Sequence, residues 1–183
     1  MTGRLLMLSA VLVTAIACGQ HSTPPAPVDD GRFGAPRVTA PKDVAPFAAD
    51  PCSGPLTGAR LDALGLSSRG QGRTTVTGER SCDWRSREGG QYVSLIVIPN
   101  RDVLVDTYRV RQFPVFEPLT ITGLPATREQ SSPSSSSCVM TIGTAPQQGY
   151  IVDVSGGASG GPCDAAQRIA EEVATALPSS DGK

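Results

Sequence analysis

Four cysteines, Cys52, Cys82, Cys138 and Cys163, constrain this chain more than any other feature. None belongs to a Cys-x-x-Cys pair, and the single histidine, His21, lies outside the stretch that holds them. The ligand sets of a structural zinc site are therefore missing. A fifth cysteine, Cys18, closes an apolar N-terminal run. Setting it apart leaves an even number, which in an exported chain reads as two disulfides. Four cysteines permit three connectivities. The local pattern favours neighbours, Cys52 with Cys82 and Cys138 with Cys163. Cys52 opens the first helical stretch and Cys82 lies on the next strand. Cys138 starts a hairpin whose return leads through "GGASGG" to Cys163.

The N-terminus supplies the export. Arg4 is a positive n-region, Leu5 to Val13 is largely apolar, and Ala15-Ile16-Ala17 offers small residues before a cut. The apolar run is shorter than the roughly 20 residues a membrane-spanning helix needs. A cysteine directly after such a run resembles the lipobox of bacterial lipoproteins, in which the thiol takes a diacylglyceryl group and cleavage falls just before it. Ala15 stands where that pattern usually carries Leu. Two acyl chains hold a protein stably on a membrane, where one holds it marginally. The sequence thus divides into a signal peptide over 1–17, a lipidated Cys18 with a Pro-rich disordered tether over 18–46, one domain over 47–178 and a short tail over 179–183. Pro24, Pro25, Pro27, Pro36, Pro41 and Pro46 make the tether extended and semi-rigid. The expected location is the extracytoplasmic face of the cell membrane.

Cleavage before Cys18 removes Arg4 and leaves fifteen basic against seventeen acidic residues, a net charge of −2. There is no basic stripe or aromatic platform, which argues against nucleic acid. The expectation is a monomer without a cofactor.

Within the domain, Thr57 is placed to cap a short helix, with Leu56 packing on Leu61 as a staple and Gly65 as the stop. "LSSRGQGR" reads as a loop. "SCDWRS" reads as a strand with Cys82 and Trp84 on one face, and Trp84 as core beside a disulfide. "QYVSLIVIP" is apolar on both faces and is expected to be central. Asn100 is expected to cap a helix through "RDVLVDTYRVRQF". "VFEPLTITGLPATREQ" reads as one or two strands, "SSPSSSS" as a flexible loop, and "CVMTIGT" with "GYIVDVSG" as a hairpin. Cys163, Ala166, Ala170, Val173 and Leu177 share a helical face, and Pro178 follows the helix. The order α-β-β-α-β-β-β-α predicts an α+β fold, an antiparallel sheet with helices packed on one face.

"DPC" before a Leu-bearing helix, then "C-x-W", "FEPL", "GLPA", "CVMTI" and "PCDAAQRIA" leading to "LP" follow one another in order. Over roughly 49–178 this resembles an actinobacterial lipoprotein family catalogued as a domain of unknown function. The resemblance implies a lipid-anchored extracytoplasmic domain with two disulfides, and no activity.

Residue chemistry points away from an enzyme. A nucleophile–histidine site needs a histidine, and none follows His21. Asp62, Glu79, Asp83, Glu117, Glu129 and Asp153 could form a carboxylate pair, but nothing in the sequence brings two together. "GGASGG" lacks the lysine of a phosphate loop and the spacing of a dinucleotide loop. Two functions stand ahead. One is a binding or sensor-like module holding a small or lipidic ligand between sheet and helices. The other is a structural or interaction lipoprotein that docks on another envelope protein. The sequence names neither ligand nor partner.

The address is testable. Cys18→Ser is expected to leave an unprocessed precursor in the native host, whereas the parent chain carries the mass of a diacylated product beginning at Cys18. A parent chain without lipid contradicts the reading.

Overall fold

Alternation of fully buried and half-exposed residues along Gln91–Ile98 shows how the sheet is organised, with one face sealed and the other partly open. The structure is a computed structural model that describes residues 30–157 and 161–180. Its strands are β1 (Gln71–Thr74), β2 (Arg80–Arg85), β3 (Gln91–Ile98), β4 (Val115–Ile121), β5 (Leu124–Gln130), β6 (Ser137–Ala145) and β7 (Gln148–Gly156). The helices are α1 (Ala59–Ala63), α2 (Val103–Val110) and α3 (Gly161–Ala176), with short 3-10 turns at Ala45–Phe47 and Pro51–Ser53. The strands form one sheet in the order β1-β2-β3-β7-β6-β5-β4, and every neighbouring pair is antiparallel.

On the sealed face, Cys82 and Trp84 of β2, Val93 and Leu95 of β3, Val152 and Val154 of β7, and Met140 and Ile142 of β6 form one buried cluster with α3. Ala166 and Ala170 are small enough to let the helix sit close, while Ile169 and Val173 fill the space beside them. Tyr150, fully buried on β7, donates its hydroxyl to the Ala170 carbonyl at 2.7 Å. The Cys138–Cys163 bridge ties β6 to the first turn of α3, with Cα atoms 5.1 Å apart. Cys52–Cys82, with Cα atoms 5.0 Å apart, ties the turn at Pro51–Ser53 to β2. Each bridge contributes about 3 to 4 kcal/mol in the chain-entropy account. Both pairs join the sequence neighbours that the spacing favoured.

Several expectations are corrected. The stretch 66–73, read as a loop, contributes β1, while 115–130, read as one or two strands, makes two, joined at Thr122 and Gly123, both at positive φ. The element order is α-β-β-β-α-β-β-β-β-α. β1 is exposed at every position, so hydrophobic alternation cannot reveal it. β3 is interior, but β7 holds the middle of the sheet.

The helices do not share one face. α2 packs against β6 and β7 from the side opposite α3. Two glycines on that side make room for it. A Cβ on Gly143 would meet Leu104 at 3.1 Å, and one on Gly149 would lie 2.7 Å from Val103 and strike the Ile142 carbonyl. α2 is capped by Asp102, which accepts from the Val105 amide at 3.1 Å, and not by Asn100. α1 starts after Gly58 without the expected Thr57 side-chain cap.

The tether expected to reach Pro46 gives way to packed structure earlier. Residues 41–44 lie between the β6–β7 turn and the end of α3. The Lys42 amide donates to the Thr144 carbonyl, its ammonium reaches the Ala174 carbonyl at 2.7 Å, and Val44 is buried. Ser179 and Ser180, expected in the tail, join the same seam. Lys42 bridges to Ser179, and the Ser180 amide donates to the Pro41 carbonyl. Proline removes a donor but keeps its acceptor, so Pro41 and Pro178 both serve this seam. Further upstream, Arg32 donates to Asp102 at 2.9 Å and to the Ala35 and Pro36 carbonyls. The serine loop is knotted by its own hydroxyls, with Ser135 bonded to Ser131 and Ser137. The expected signal peptide, Cys18, the expected tether up to residue 29, residues 158–160 of "GGASGG" and the last three residues lie outside the described residues.

Candidate functional site

The second face of the sheet carries the unexplained chemistry. α2 covers the part formed by β6 and β7, while Tyr92, Ser94 and Ile96 of β3, Ile151 and Asp153 of β7, and Val139 of β6 remain half-exposed. Strand register builds one row across this face. Asp83 pairs with Ser94, Ser94 with Asp153, Asp153 with Val139, and Val139 with Glu129. Three carboxylates from three strands therefore stand in line.

Their surroundings differ. Asp83 is buried, accepts from the Ser94 hydroxyl at 2.7 Å, and has Arg73 Nε 2.7 Å from Oδ2. That arginine contact is an ion pair without an aligned hydrogen bond, because Oδ2 receives none. Asp153 and Glu129 make no ion pair among the described residues. Burial, with the nearby Asp83 charge added, pushes the Asp153 carboxyl above its ordinary pKa. Burial also raises Glu129, against the single hydrogen bond from Thr127 at 3.0 Å. Beside the row, burial and then the Asp83 carboxylate push the Tyr92 phenol up to about 12, against the pull of Arg73 and Arg85.

The other acids are engaged at the surface. Asp62 pairs with Arg87, Glu117 pairs with Arg128, and Glu79 accepts from Thr75, Thr77 and Arg101. Burial opposes ionisation of Glu79, but the Thr77, Thr75 and Arg101 donors outweigh it and hold its pKa near about 2. The fold thus neutralises or buttresses these acids and leaves Asp153 and Glu129 without a cation. No group of three His, Cys, Asp or Glu able to hold a metal ion occurs among the described residues.

The surface depressions are small. One of about 380 Å3 lies between the end of α1, the β2–β3 turn and Arg168 of α3. Others, beside α2 over Glu129 and along β1, hold about 200 Å3 each. All have mixed polar linings, whereas small-molecule sites usually hold about 300 to 1,000 Å3 with mostly apolar walls. The volume between the sheet and α3 is filled by side chains, and Trp84 is core, as its sequence setting suggested.

The sequence reading named Asp83, Glu129 and Asp153 only among scattered acids. The usable signal was Asp153 standing between Val152 and Val154, a charge on the second face of an alternating strand. The partners across the sheet depend on register, which no single sequence carries.

Fold and site define a disulfide-stapled α+β domain, sealed on one sheet face and half-open on the other. The chain belongs to the family described as "Protein of unknown function (DUF3558)", whose model matches residues 13–176. No curated protein and no solved structure matches it.

A carboxyl with a raised native pKa is protonated more readily folded than unfolded, so its ionisation weakens the fold as pH rises through the native value. Glu129→Gln is expected to raise the thermal midpoint at about pH 7 by about 2 °C. The gain should vanish as pH falls towards the unfolded carboxyl value of about 4.3. Paired thermal scans at the two pH values check it.

Proposed function

We propose that this chain is a lipid-anchored, extracytoplasmic interaction module of the cell envelope, which docks through its open sheet face on a partner presenting cationic groups. Cys18 supplies the anchor, by its place after the apolar run and Ala15-Ile16-Ala17. Two disulfides accord with an oxidising compartment. The domain is not an enzyme in this reading. It carries no histidine after His21, and four of its six candidate acids already have ion-pair partners.

The observation that carries the reading is the unmatched charge of Asp153 and Glu129 on a face that α2 only partly covers. Asp153, half-exposed on that face, is costly as an unpaired carboxylate and gains from an incoming lysine or arginine, while Glu129 lies buried beside α2. Between the two functions open at the level of sequence, the filled space between sheet and α3 favours docking over an enclosed lipidic ligand.

A photo-crosslinking residue in place of Val139, half-exposed between Asp153 and Glu129, tests this in the intact native envelope. A discrete adduct is expected there, lost when Asp153→Lys is added, and absent when the crosslinker replaces the exposed Arg168 on α3. No adduct at position 139, or one indifferent to Asp153→Lys, contradicts docking. Native mass spectrometry of the intact chain tests the alternative, which requires a retained small molecule.

A further inference from the structure

At the free edge of the sheet three guanidinium groups converge. Arg69 precedes β1, Arg73 lies on it, and Arg85 ends β2, and all three line one depression of about 200 Å3 with Tyr92 and Asp83. Asp83 is the only carboxylate in that lining, and it is engaged by Arg73. Arg69 and Arg85 make no ion pair among the described residues. The depression therefore carries excess positive charge in a chain whose net formal charge is −1.

The arginines are held, not merely adjacent. The Arg85 guanidinium stacks over the Tyr92 ring, 5.7 Å from its centroid. The Ser67 amide donates to the Arg85 carbonyl at 2.9 Å, and the Ser67 hydroxyl donates to the Arg69 carbonyl at 3.1 Å. Gly70 clamps the same loop onto the core. A Cβ there would lie 2.8 Å from Trp84 Nε1 and would collide with Cys82 Sγ of the disulfide. Trp84, which also lines the depression, is 1% exposed, and its indole N–H has no hydrogen-bond partner. Buried donors rarely stay unpaired without a reason.

We propose that this depression is an oxyanion site that takes the phosphate group of a phosphate ester. Guanidinium forks match phosphate oxygens two at a time, and a doubly charged tetrahedral group needs more than one fork. A carboxylate ligand would use one fork and leave the second arginine unmatched. The site is distinct from the Asp153–Glu129 pair and does not depend on the docking reading. The same phosphate could belong to a lipid headgroup or to a soluble ester.

Equilibrium dialysis of the full chain in mild detergent against radiolabelled inorganic phosphate, at low ionic strength, tests the site. One saturable equivalent per chain is expected. Arg69→Ala with Arg85→Ala should weaken it by about tenfold or more. Arg109→Ala, which removes a surface arginine paired with Asp106 on α2, should leave it unchanged. The unchanged near-ultraviolet signal of Trp84, the only tryptophan, certifies that the double variant is folded. Glycerol phosphate and short-chain phosphatidic acid, a soluble and a lipid phosphate monoester, should both displace the label, and the one effective at lower concentration marks the source. Absence of saturable binding, equal loss in Arg109→Ala, retention in the folded double variant, or displacement by neither competitor overturns the proposal.

Discussion

Tyr150 reaches from the middle strand β7 to the Ala170 carbonyl of α3, and Cys138–Cys163 joins β6 to the first turn of the same helix. Between these ties the apolar sides of β3, β6 and β7 are buried against Ala166, Ile169, Ala170 and Val173. Each large side chain so buried contributes about 1.5 to 3 kcal/mol. The bridge adds about 3 kcal/mol by restricting the unfolded chain. Other contacts lean on this seat. Lys42 bonds the carbonyl of Ala174 at the far end of α3, and residues 41–44 close over the β6–β7 turn only because that end is fixed.

With one face committed to α3, the other is relieved of holding the sheet together. α2 occupies part of it, admitted by Gly143 and Gly149, and the remainder is free to carry charge. The acids divide along the same line. Glu79, Asp62 and Glu117 are met by arginines or threonines, while Asp153 and Glu129 sit half-buried or buried with no cation. A fold selected for stability alone would not keep two such groups, since burial raises the free energy of their ionised forms. Raised carboxyls on this partly covered face, Asp153 half-exposed and Glu129 buried, support the docking proposed for it.

What was legible in the sequence was local. The hairpin of β6 and β7 followed from strict alternation, and the pairing of each cysteine with its neighbour followed from its place in that hairpin or at the first turn. The family was legible too, since its motifs survive in order. What depended on distant partners was not. β1 has no buried residue to announce it and exists because β2 offers it an edge. α2 has an ordinary amphipathic pattern, and only the two glycines on facing strands decide which side of the sheet admits it. Proline content suggested a free tether through Pro46, yet proline carbonyls accept the hydrogen bonds that seat residues 41–44. The carboxylate row combines residues up to 70 positions apart, and register alone aligns them.

The central claim is that the sheet holds its fold with one face, which leaves the other for the docking proposed above. Leu95 and Ile96 are neighbours on β3 and point to opposite faces, Leu95 fully buried and Ile96 half-exposed. Urea unfolding of Leu95→Ala and Ile96→Ala, compared with the parent chain, tests the division most directly. The account predicts a loss of about 3 kcal/mol for Leu95→Ala and less than about 1 kcal/mol for Ile96→Ala. Equal losses, or a larger one at Ile96, would show that the second face carries the fold as well and contradict the account.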